Sequence, residues 1–271
     1  MKYNFLIDSH CHLDLLEEKG ENATALIKAA KEKNVKYIQT ICTKITEFNK
    51  IYSYAENFDN VFASIGIHPC NVDQQPAIDI EEIIKICQER SKLIGIGETG
   101  LDYFHDTSAK NQQIESFLKH IEIARQTGLV LIIHSRNADK DMADILEREM
   151  KKQEFKALMH CFSSSEFLAK KSLELNISIS ISGIVTFKNA IDLQDIVKII
   201  PKDKILVETD APYLAPTPYR GKINKPEFTY ETAKFIANLK NIEEQEFFSQ
   251  TTDNFCKLFE KFIPNYNLHL V

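Results

Sequence analysis

The feature that most constrains the fold of this chain is a short apolar, β-branched segment that recurs eight times. The eight segments are YNFLID, VKYIQTI, VFASIGI, KLIGIGE, LVLIIH, FKALMH, ISISIS and KILVET. Near-continuous apolar runs of this length are typical of parallel strands whose sheet is covered by other elements. The stretches between the segments are long enough for crossover helices. We therefore expect strands and helices to alternate along the chain.

One intervening stretch, QQIESFLKHIEIARQTG, shows the helical pattern clearly. Its apolar residues recur at helical spacing, at Ile114, Phe117, Leu118, Ile121 and Ala124, and Gly128 supplies a stop. Eight strand and helix units within about 250 residues match a (β/α)8 TIM barrel, an α/β fold. A doubly wound open sheet is the alternative. Because no linker or low-complexity tract interrupts the pattern, we expect residues 1–271 to form a single domain.

Composition and charge exclude several classes of protein. The net charge of -6 argues against a protein that coats nucleic acid through a broad basic surface. Neither a signal peptide nor a run of about 18 apolar residues is present, so we expect a cytoplasmic protein without membrane association. The six cysteines include no C-x-x-C pair. This spacing indicates neither a disulfide framework nor a zinc ribbon.

Histidines and carboxylates concentrate where the predicted strands end, which is where the functional residues of a (β/α)8 barrel gather. The first strand runs into IDSHCHLDL, where His10 and His12 stand two positions apart and so face the same side of a strand. Five other predicted strand ends carry His68, Glu98, His134, His160, and the pair Glu208 and Asp210. This placement predicts a shared site at the carboxyl end of the barrel.

The number and type of these side chains indicate metal binding. Each alone could be a buried structural histidine or a carboxylate that caps the following helix. However, five of the eight histidines fall at predicted strand ends, whereas random placement would scatter them. Four imidazoles and two carboxylates are too many for one tetrahedral ion. They suit two divalent cations, with Glu98 as a bridging ligand, and imidazole-rich sites favour zinc or manganese.

Six motifs carry a specific resemblance to a known family. DSHCHLD, GIHP, GETGLDY, HSR, HCFS and ETDAPYLAPTPYRGK together resemble the TatD family of metal-dependent deoxyribonucleases, in the amidohydrolase superfamily, over residues 5 to 226. The resemblance implies a hydrolase barrel that acts on DNA as a 3′ to 5′ exonuclease with magnesium-supported activity. The ligands that it implies are His10, His12, Glu98, His134, His160 and Asp210. We therefore expect two divalent cations, with Mg, Zn and Mn all left open.

Two further sets of residues receive predicted roles. Asp210 is expected to bind a cation and to accept the proton of the attacking water, and Glu98 is the second catalytic carboxylate. Glu208, Asp102 and Asp8 are placed where they could orient the ligating imidazoles. We expect the substrate to be DNA that is single-stranded or presents a 3′ end, and we expect no obligate protein partner.

The loop APYLAPTPYRGKINKP combines four prolines with basic residues beside the predicted site. Arg220 and Lys222 are predicted to bind phosphates, although Lys222 and the nearby Lys225 could equally be solvated surface charges. Arg136 is a second candidate for a bidentate hydrogen bond to phosphate. His68 is also expected to contact phosphate, because the implied set of metal ligands is complete without it. Three aromatic residues could stack on a base or simply pack, namely Tyr103, Phe104 and Tyr213.

Two other functions remain open. The first is hydrolysis of a C–N or ester bond in a small molecule or an aminoacyl substrate. Many amide hydrolases of the superfamily bridge their ions with a modified lysine at the end of strand four. Here the predicted strand four ends in Glu98, and the only lysine of that strand, Lys92, lies at its beginning. The absence of a lysine at the end of this strand favours the nuclease. The second alternative is metal storage or sensing.

Overall fold

The computed structural model describes residues 2–105 and 109–262. Within this part of the chain, eight parallel strands follow one another around a single sheet in the order in which they occur. The strands are β1 (Leu6–Cys11), β2 (Val35–Thr40), β3 (Val61–Ile65), β4 (Leu93–Asp102), β5 (Val130–Arg136), β6 (Ala157–Met159), β7 (Ser178–Ile181) and β8 (Ile205–Val207). Each lies within or overlaps one of the eight predicted segments.

The sheet closes on itself. Cys11, at the end of β1, forms a parallel bridge with Ala211, which follows β8. The backbone N–H of Asp210 donates to His10 O across 2.9 Å, and that of His12 donates to Ala211 O across 2.8 Å. The (β/α)8 barrel is therefore confirmed, and the open sheet is excluded. The prediction of one domain over residues 1–271 also covers residues 1, 106–108 and 263–271, which lie outside the described residues.

Helices cover the outer face of the sheet. They are α1 (Leu13–Glu18), α2 (Ala23–Glu32), α3 (Phe48–Asn57), α4 (Ile80–Glu89), α5 (Lys110–Thr127), α6 (Asp139–Lys152), α7 (Glu166–Glu174), α8 (Ile191–Ile199), α9 (Thr229–Leu239) and α10 (Glu244–Leu258). The predicted helix is α5, and it ends as expected because Gly128 adopts the left-handed conformation with φ of 69°. None of the helices in the described residues is long and apolar enough to cross a bilayer.

Aromatic side chains fill the amino end of the barrel. Phe262 contacts Phe62 of β3 with ring centroids 4.7 Å apart, and Tyr37 of β2 at 5.4 Å. Lys92 lies at this same end, where its Nζ donates to Ala55 O and Phe58 O across 2.7 and 2.9 Å. Because this end is closed by apolar packing, the polar strand ends at the opposite side are the only open mouth among the described residues.

Candidate metal centre

The carboxylate of Glu98 lies at the centre of the strand-end cluster and is almost fully buried. Its Oε1 lies 2.7 Å from His160 Nε2 and 3.1 Å from His134 Nδ1. Its Oε2 lies 3.3 Å from His10 Nε2 and 3.8 Å from His12 Nε2. The two oxygens of one carboxylate therefore face two different pairs of imidazoles.

Asp210 joins the cluster on the side of β1. Its Oδ1 lies 3.4 Å from His12 Nε2 and 3.8 Å from His10 Nε2. The backbone at Asp210, three residues past the end of β8, adopts a positive φ of 57°. The ring of His10 also stacks on that of His160, with centroids 3.9 Å apart. The structure thus gathers all six residues that the sequence nominated as ligands.

The ends of β3 and β4 approach closely enough to bring His68 beside Glu98. A methyl group on Gly66 would lie 2.4 Å from Gly97 Cα, so only glycine permits this approach. His68 Nε2 consequently lies 3.4 Å from Glu98 Oε1, while its Nδ1 accepts a hydrogen bond from Cys70 N. His68 therefore belongs geometrically to the cluster, and its predicted contact with phosphate remains a prediction.

The donor atoms of the cluster suit a divalent cation. His10 Nε2 and His12 Nε2 lie 3.3 Å apart, and His134 Nδ1 lies 3.4 Å from His160 Nε2. Two imidazole nitrogens that face each other can share only one proton, whereas a cation between them accepts both lone pairs. Nitrogen and carboxylate oxygen are ligands that zinc, manganese and related ions accept. The residues present therefore fit a metal centre.

Two buried carboxylates sit behind the imidazoles. Asp102 Oδ2 lies 3.1 Å from His134 Nε2, which leaves Nδ1 of that ring facing Glu98. Glu208 Oε1 lies 3.4 Å from His160 Nδ1, so Nε2 of His160 faces the cluster. A carboxylate behind an imidazole selects the tautomer that presents a lone pair to an ion. Both contacts lie where the sequence interpretation placed orienting partners.

Asp8 makes a different contact from the one expected. Its Oδ1 accepts the backbone N–H of Thr209 across 2.8 Å, and its Oδ2 accepts the Thr209 hydroxyl across 2.6 Å. Burial raises the pKa of Asp8 to about 8 against these hydrogen bonds. Asp8 therefore fastens β1 to the chain that follows β8 instead of orienting an imidazole.

Burial and mutual charge set the protonation of the cluster. Burial opposes ionisation of Glu98, but the charge of His160 and the hydrogen bonds from His10 and His134 outweigh it and hold its pKa well below the usual range. For Asp210, burial is likewise outweighed by the hydrogen bond from His12, so its pKa is lowered. Burial, together with the charges of His134 and His160, lowers the pKa of His68 to about 3. Both carboxylates are thus ionised near pH 7, whereas neighbouring carboxylates raise the pKa values of His12, His134 and His160, so a cation that binds there must displace protons from these imidazoles.

One residue that supports the cluster was missed by the sequence interpretation. His120 of α5 is buried, donates from Nδ1 to Ser116 O across 2.8 Å, and accepts the N–H of Ile67 at Nε2 across 3.1 Å. It thereby holds the backbone that immediately precedes His68. Its position beside Ile121 in the apolar stripe indicated burial, but nothing in the sequence identified Ile67 as its partner.

Basic and aromatic residues surround the mouth. The guanidinium of Arg136 lies 3.8 Å from the ring centroid of Phe104, and that of Arg220 lies 4.4 Å from the ring centroid of Phe187. Both arginines and Lys222 are exposed. Lys225 differs, because its Nζ binds Glu21 across 2.9 Å. The structure therefore makes Lys225 a partner in an ion pair instead of a solvated or phosphate-binding charge.

The three aromatic candidates for base stacking differ in their contacts and exposure. The hydroxyl of Tyr103 donates to Asp141 across 2.9 Å, so this ring serves local packing. Phe104 and Tyr213 are largely exposed. These two rings alone among the three candidates present free surface at the mouth.

Comparisons with known proteins identify similar chains. The model of the family described as TatD related DNase matches residues 7–260. YcfH of Escherichia coli (strain K12), named an uncharacterized metal-dependent hydrolase, is 39% identical over 257 residues, which are 94% of this chain and 96% of YcfH. YabD of Bacillus subtilis (strain 168), which carries the same description, is 37% identical over 258 residues, covering 94% and 98%.

Solved structures extend the comparison. The crystal structure of YJJV, a TatD homolog from Escherichia coli K12, matches with a TM-score of 0.87 and 26% identity, covering 96% of this chain and 99% of YJJV. A β-aspartyl dipeptidase from Fervidobacterium islandicum AW-1 matches with a TM-score of 0.65 and 14% identity, covering 95% and 74%. The second similarity concerns the fold alone.

Proposed function

The chain belongs to the TatD-related DNase family, and from this membership and the geometry of the centre we propose that it is a metal-dependent hydrolase that cleaves phosphodiester bonds in DNA. The observation that carries the proposal is the carboxylate of Glu98, whose two oxygens face two pairs of imidazoles. A bridging carboxylate of this kind is suited to two divalent cations, of which Mg, Zn and Mn are the candidates.

The residues divide between two cation positions. His10 and His12 would hold one cation together with Glu98 Oε2 and Asp210. His134 and His160 would hold the other together with Glu98 Oε1. Two divalent cations at these positions would stabilise the negative charge that develops on a phosphodiester and lower the pKa of water.

Asp210 is the carboxylate best placed to act as general base. It is ionised because His12 and His10 lower its pKa, and its side chain is 14% exposed, so water from the mouth reaches it. Glu98 is only 4% exposed and is surrounded by imidazoles, which suits a bridging ligand. We therefore assign acceptance of the water proton to Asp210. Glu98 holds the centre together.

The rim supports a nucleic-acid substrate. The guanidinium groups of Arg136 and Arg220 each lie over an aromatic ring, a contact that leaves N–H groups available for phosphate. No carboxylate within residues 2–105 and 109–262 forms an ion pair with either arginine. Exposed Phe104 and Tyr213 offer faces on which unpaired bases could stack. We propose single-stranded DNA or a DNA 3′ end as the substrate, with degradation from 3′ to 5′.

We place the enzyme in the cytoplasm as part of the same proposal. All six cysteines are free thiols, and several are deeply buried. Reduced thiols without structural disulfides are usual in a reducing compartment. No obligate protein partner is invoked, because all the proposed ligands come from one chain.

An amide or ester hydrolase of the same superfamily is the alternative. The fold similarity to a β-aspartyl dipeptidase supports it only at the level of architecture. Glu98 lies within β4 and faces the cluster, and Lys92 Nζ is bound to backbone carbonyls at the other end of the barrel. A bridging lysine is therefore not available from β4, which favours the nuclease.

A gel assay with single-stranded DNA tests the proposal. DNA labelled at the 5′ end should give a ladder that shortens with time in the presence of Mg²⁺ or Mn²⁺, whereas DNA labelled at the 3′ end should release mononucleotide at once. A chelator should abolish cleavage, and added metal should restore it. The Glu98→Gln variant is the matched control, because an amide cannot bridge two cations. If the protein leaves DNA intact but hydrolyses a β-aspartyl dipeptide, the result would contradict the nuclease and support the alternative.

A further inference from the structure

We propose that a separate site for a thiophilic divalent cation such as Zn²⁺ lies on the rim beside the candidate centre and is formed by Cys70, Asp102 and His105. We call it the rim site. The thiol sulfur, a carboxylate oxygen and an imidazole nitrogen of these residues all lie within 4.8 Å of one another. Sulfur, nitrogen and oxygen together form a donor set that zinc accepts readily.

The distances suit an ion without a large rearrangement. Asp102 Oδ2 lies 2.9 Å from His105 Nδ1, and Cys70 Sγ lies 3.8 Å from the same nitrogen. A tetrahedral zinc ion with bonds of about 2.0 to 2.3 Å separates its ligands by roughly 3.3 to 3.6 Å. These two separations fall on either side of this range, and the third, from Cys70 Sγ to the Asp102 carboxylate, lies within 4.8 Å, so modest side-chain shifts would complete the site.

The arrangement is not that of a nucleophile with its general base. A cysteine nucleophile and the carboxylate that orients its histidine bind opposite nitrogens of the imidazole. Here Cys70 and Asp102 both face Nδ1 of His105. A cation requires ligands that converge on one point, whereas a proton relay requires its two partners on opposite nitrogens of the imidazole.

The rim site combines a fixed ligand with two accessible ones. Asp102 is fully buried, and its Oδ1 accepts the backbone N–H groups of Phe104 and His105 across 2.9 and 3.1 Å. The side chain of His105 is 53% exposed, and Cys70 is partly exposed. A cation can therefore reach the rim site from solvent without passing through the candidate centre.

Asp102 connects the rim site to the candidate centre. The same Oδ2 that faces His105 also accepts the hydrogen bond from His134 Nε2. Cation binding at Nδ1 leaves the ring proton of His105 on Nε2 and releases the Cys70 thiol proton to solvent, so affinity should rise with pH. The cation then draws charge from Oδ2 and weakens its hold on His134. This coupling rests on the proposed function, whereas cation binding itself does not.

Cobalt substitution tests the rim site on the whole chain. A thiolate bound to Co²⁺ gives a charge-transfer absorption in the near ultraviolet that imidazole and carboxylate ligands do not give. We expect this absorption on titration with Co²⁺, and we expect Cys70→Ala to abolish it and to bind one equivalent less metal. His105→Ala should lose most of it. Cys161→Ala is the matched control, since Cys161 is the other partly exposed thiol and adjoins His160.

Three results would overturn the rim site. They are an absent absorption in the parent protein, an absorption that persists in Cys70→Ala, and one that disappears in Cys161→Ala. If Cys70→Ala fails to fold, His105→Ala supplies the same test, because its side chain is mostly exposed. DNA hydrolysis is not a readout, so failure of the rim site and failure of the proposed function are distinct results.

Discussion

His134 donates its Nε2–H to Asp102 Oδ2 across 3.1 Å, and the opposite nitrogen of its ring, Nδ1, lies 3.1 Å from Glu98 Oε1. The ring is thereby held in the tautomer that presents a lone pair to the centre. Burial opposes the charge on Asp102, but hydrogen bonds from His134 and His105 lower its pKa below the usual range. Asp102 is therefore an ionised carboxylate that controls a candidate ligand without facing the centre itself.

The first prediction is that Asp102→Asn weakens binding of Mn²⁺ by about 10- to 100-fold, the usual effect of removing a carboxylate behind a ligating histidine. The amide lacks the charge that fixes the His134 tautomer. Calorimetric titration of the metal-free protein measures the change, and Mn²⁺ is chosen because it favours oxygen and nitrogen over thiolate. Asp141→Asn is the control, since Asp141 accepts a hydrogen bond from Tyr103 outside the centre. Equal affinities in parent and Asp102→Asn would show that Asp102 does not support the ligand.

The second prediction is that Asp210→Asn lowers kcat on DNA by about 10²- to 10⁴-fold, roughly 3 to 5 kcal/mol of barrier, with little change in KM. Asparagine keeps the shape and a carbonyl oxygen but accepts no proton. Initial rates at saturating metal measure the loss, and a metal assay checks that the cations are retained. Asp195→Asn, which removes a surface carboxylate paired with Lys198, should behave like the parent. Turnover within a few-fold of the parent would assign the base to another group.

The third prediction is that Arg220→Ala weakens DNA binding more than it alters metal content. Losing one phosphate contact on a single strand should reduce the slope of log K against log salt by about 0.7. Fluorescence anisotropy at several salt concentrations measures the slope. Arg90→Ala is a matched control, because Arg90 also lies over an aromatic ring, that of Tyr52, and precedes β4 at the far end of the barrel. If both variants keep the parental slope, Arg220 is an ordinary surface charge.

The fourth prediction concerns pH and His120. Burial lowers the pKa of His120 to about 4, below the ordinary histidine value of about 6.5, so the unfolded chain binds the proton more readily than the folded protein does. The free energy of unfolding should therefore fall as pH drops from about 6.5 to 4, by at most about 3 kcal/mol from this residue.

Urea unfolding of His120→Gln measures that contribution. Glutamine can still accept the N–H of Ile67, and it has no proton to gain in this range. The variant should lose less stability than the parent between neutral pH and about pH 4, although its stability at neutral pH is lower because one amide cannot replace both hydrogen bonds. Parallel pH curves for the two proteins would show that His120 does not cause the effect.

The strands could be predicted because strands that are covered on both faces need continuous apolar side chains, and each of the eight segments has them. The predictions erred at the carboxyl ends of three strands. β4 continues to Asp102 instead of ending at Glu98, and β6 and β8 stop at Met159 and Val207. The chain leaves the ladder there to direct His160 and Asp210 into the centre. The apolar pattern of the sequence does not show where a strand stops pairing in the sheet, because the residue types do not change at that point.

The candidate site was predictable where strand ends supplied it, and unpredictable where partners come from distant parts of the chain. Asp8 binds Thr209, which is 201 residues away, and Lys225 binds Glu21. His120 reaches Ile67 from a helix on the outer layer. Such pairings depend on how loops and helices pack, and one sequence without its fold does not specify them.

The hydrogen bond from Asp210 N to His10 O joins the two ends of the barrel sheet. His10 and His12 are synthesised before Asp210, which follows all eight strands along the chain. A nascent chain therefore carries His10, His12 and Glu98 before it carries Asp210, and the proposed set is complete only when the segment after β8 docks beside β1. Metal binding at the complete proposed site is therefore a late step in the synthesis and folding of the protein. A chain that stalls or is truncated before residue 210 therefore cannot complete the proposed ligand set.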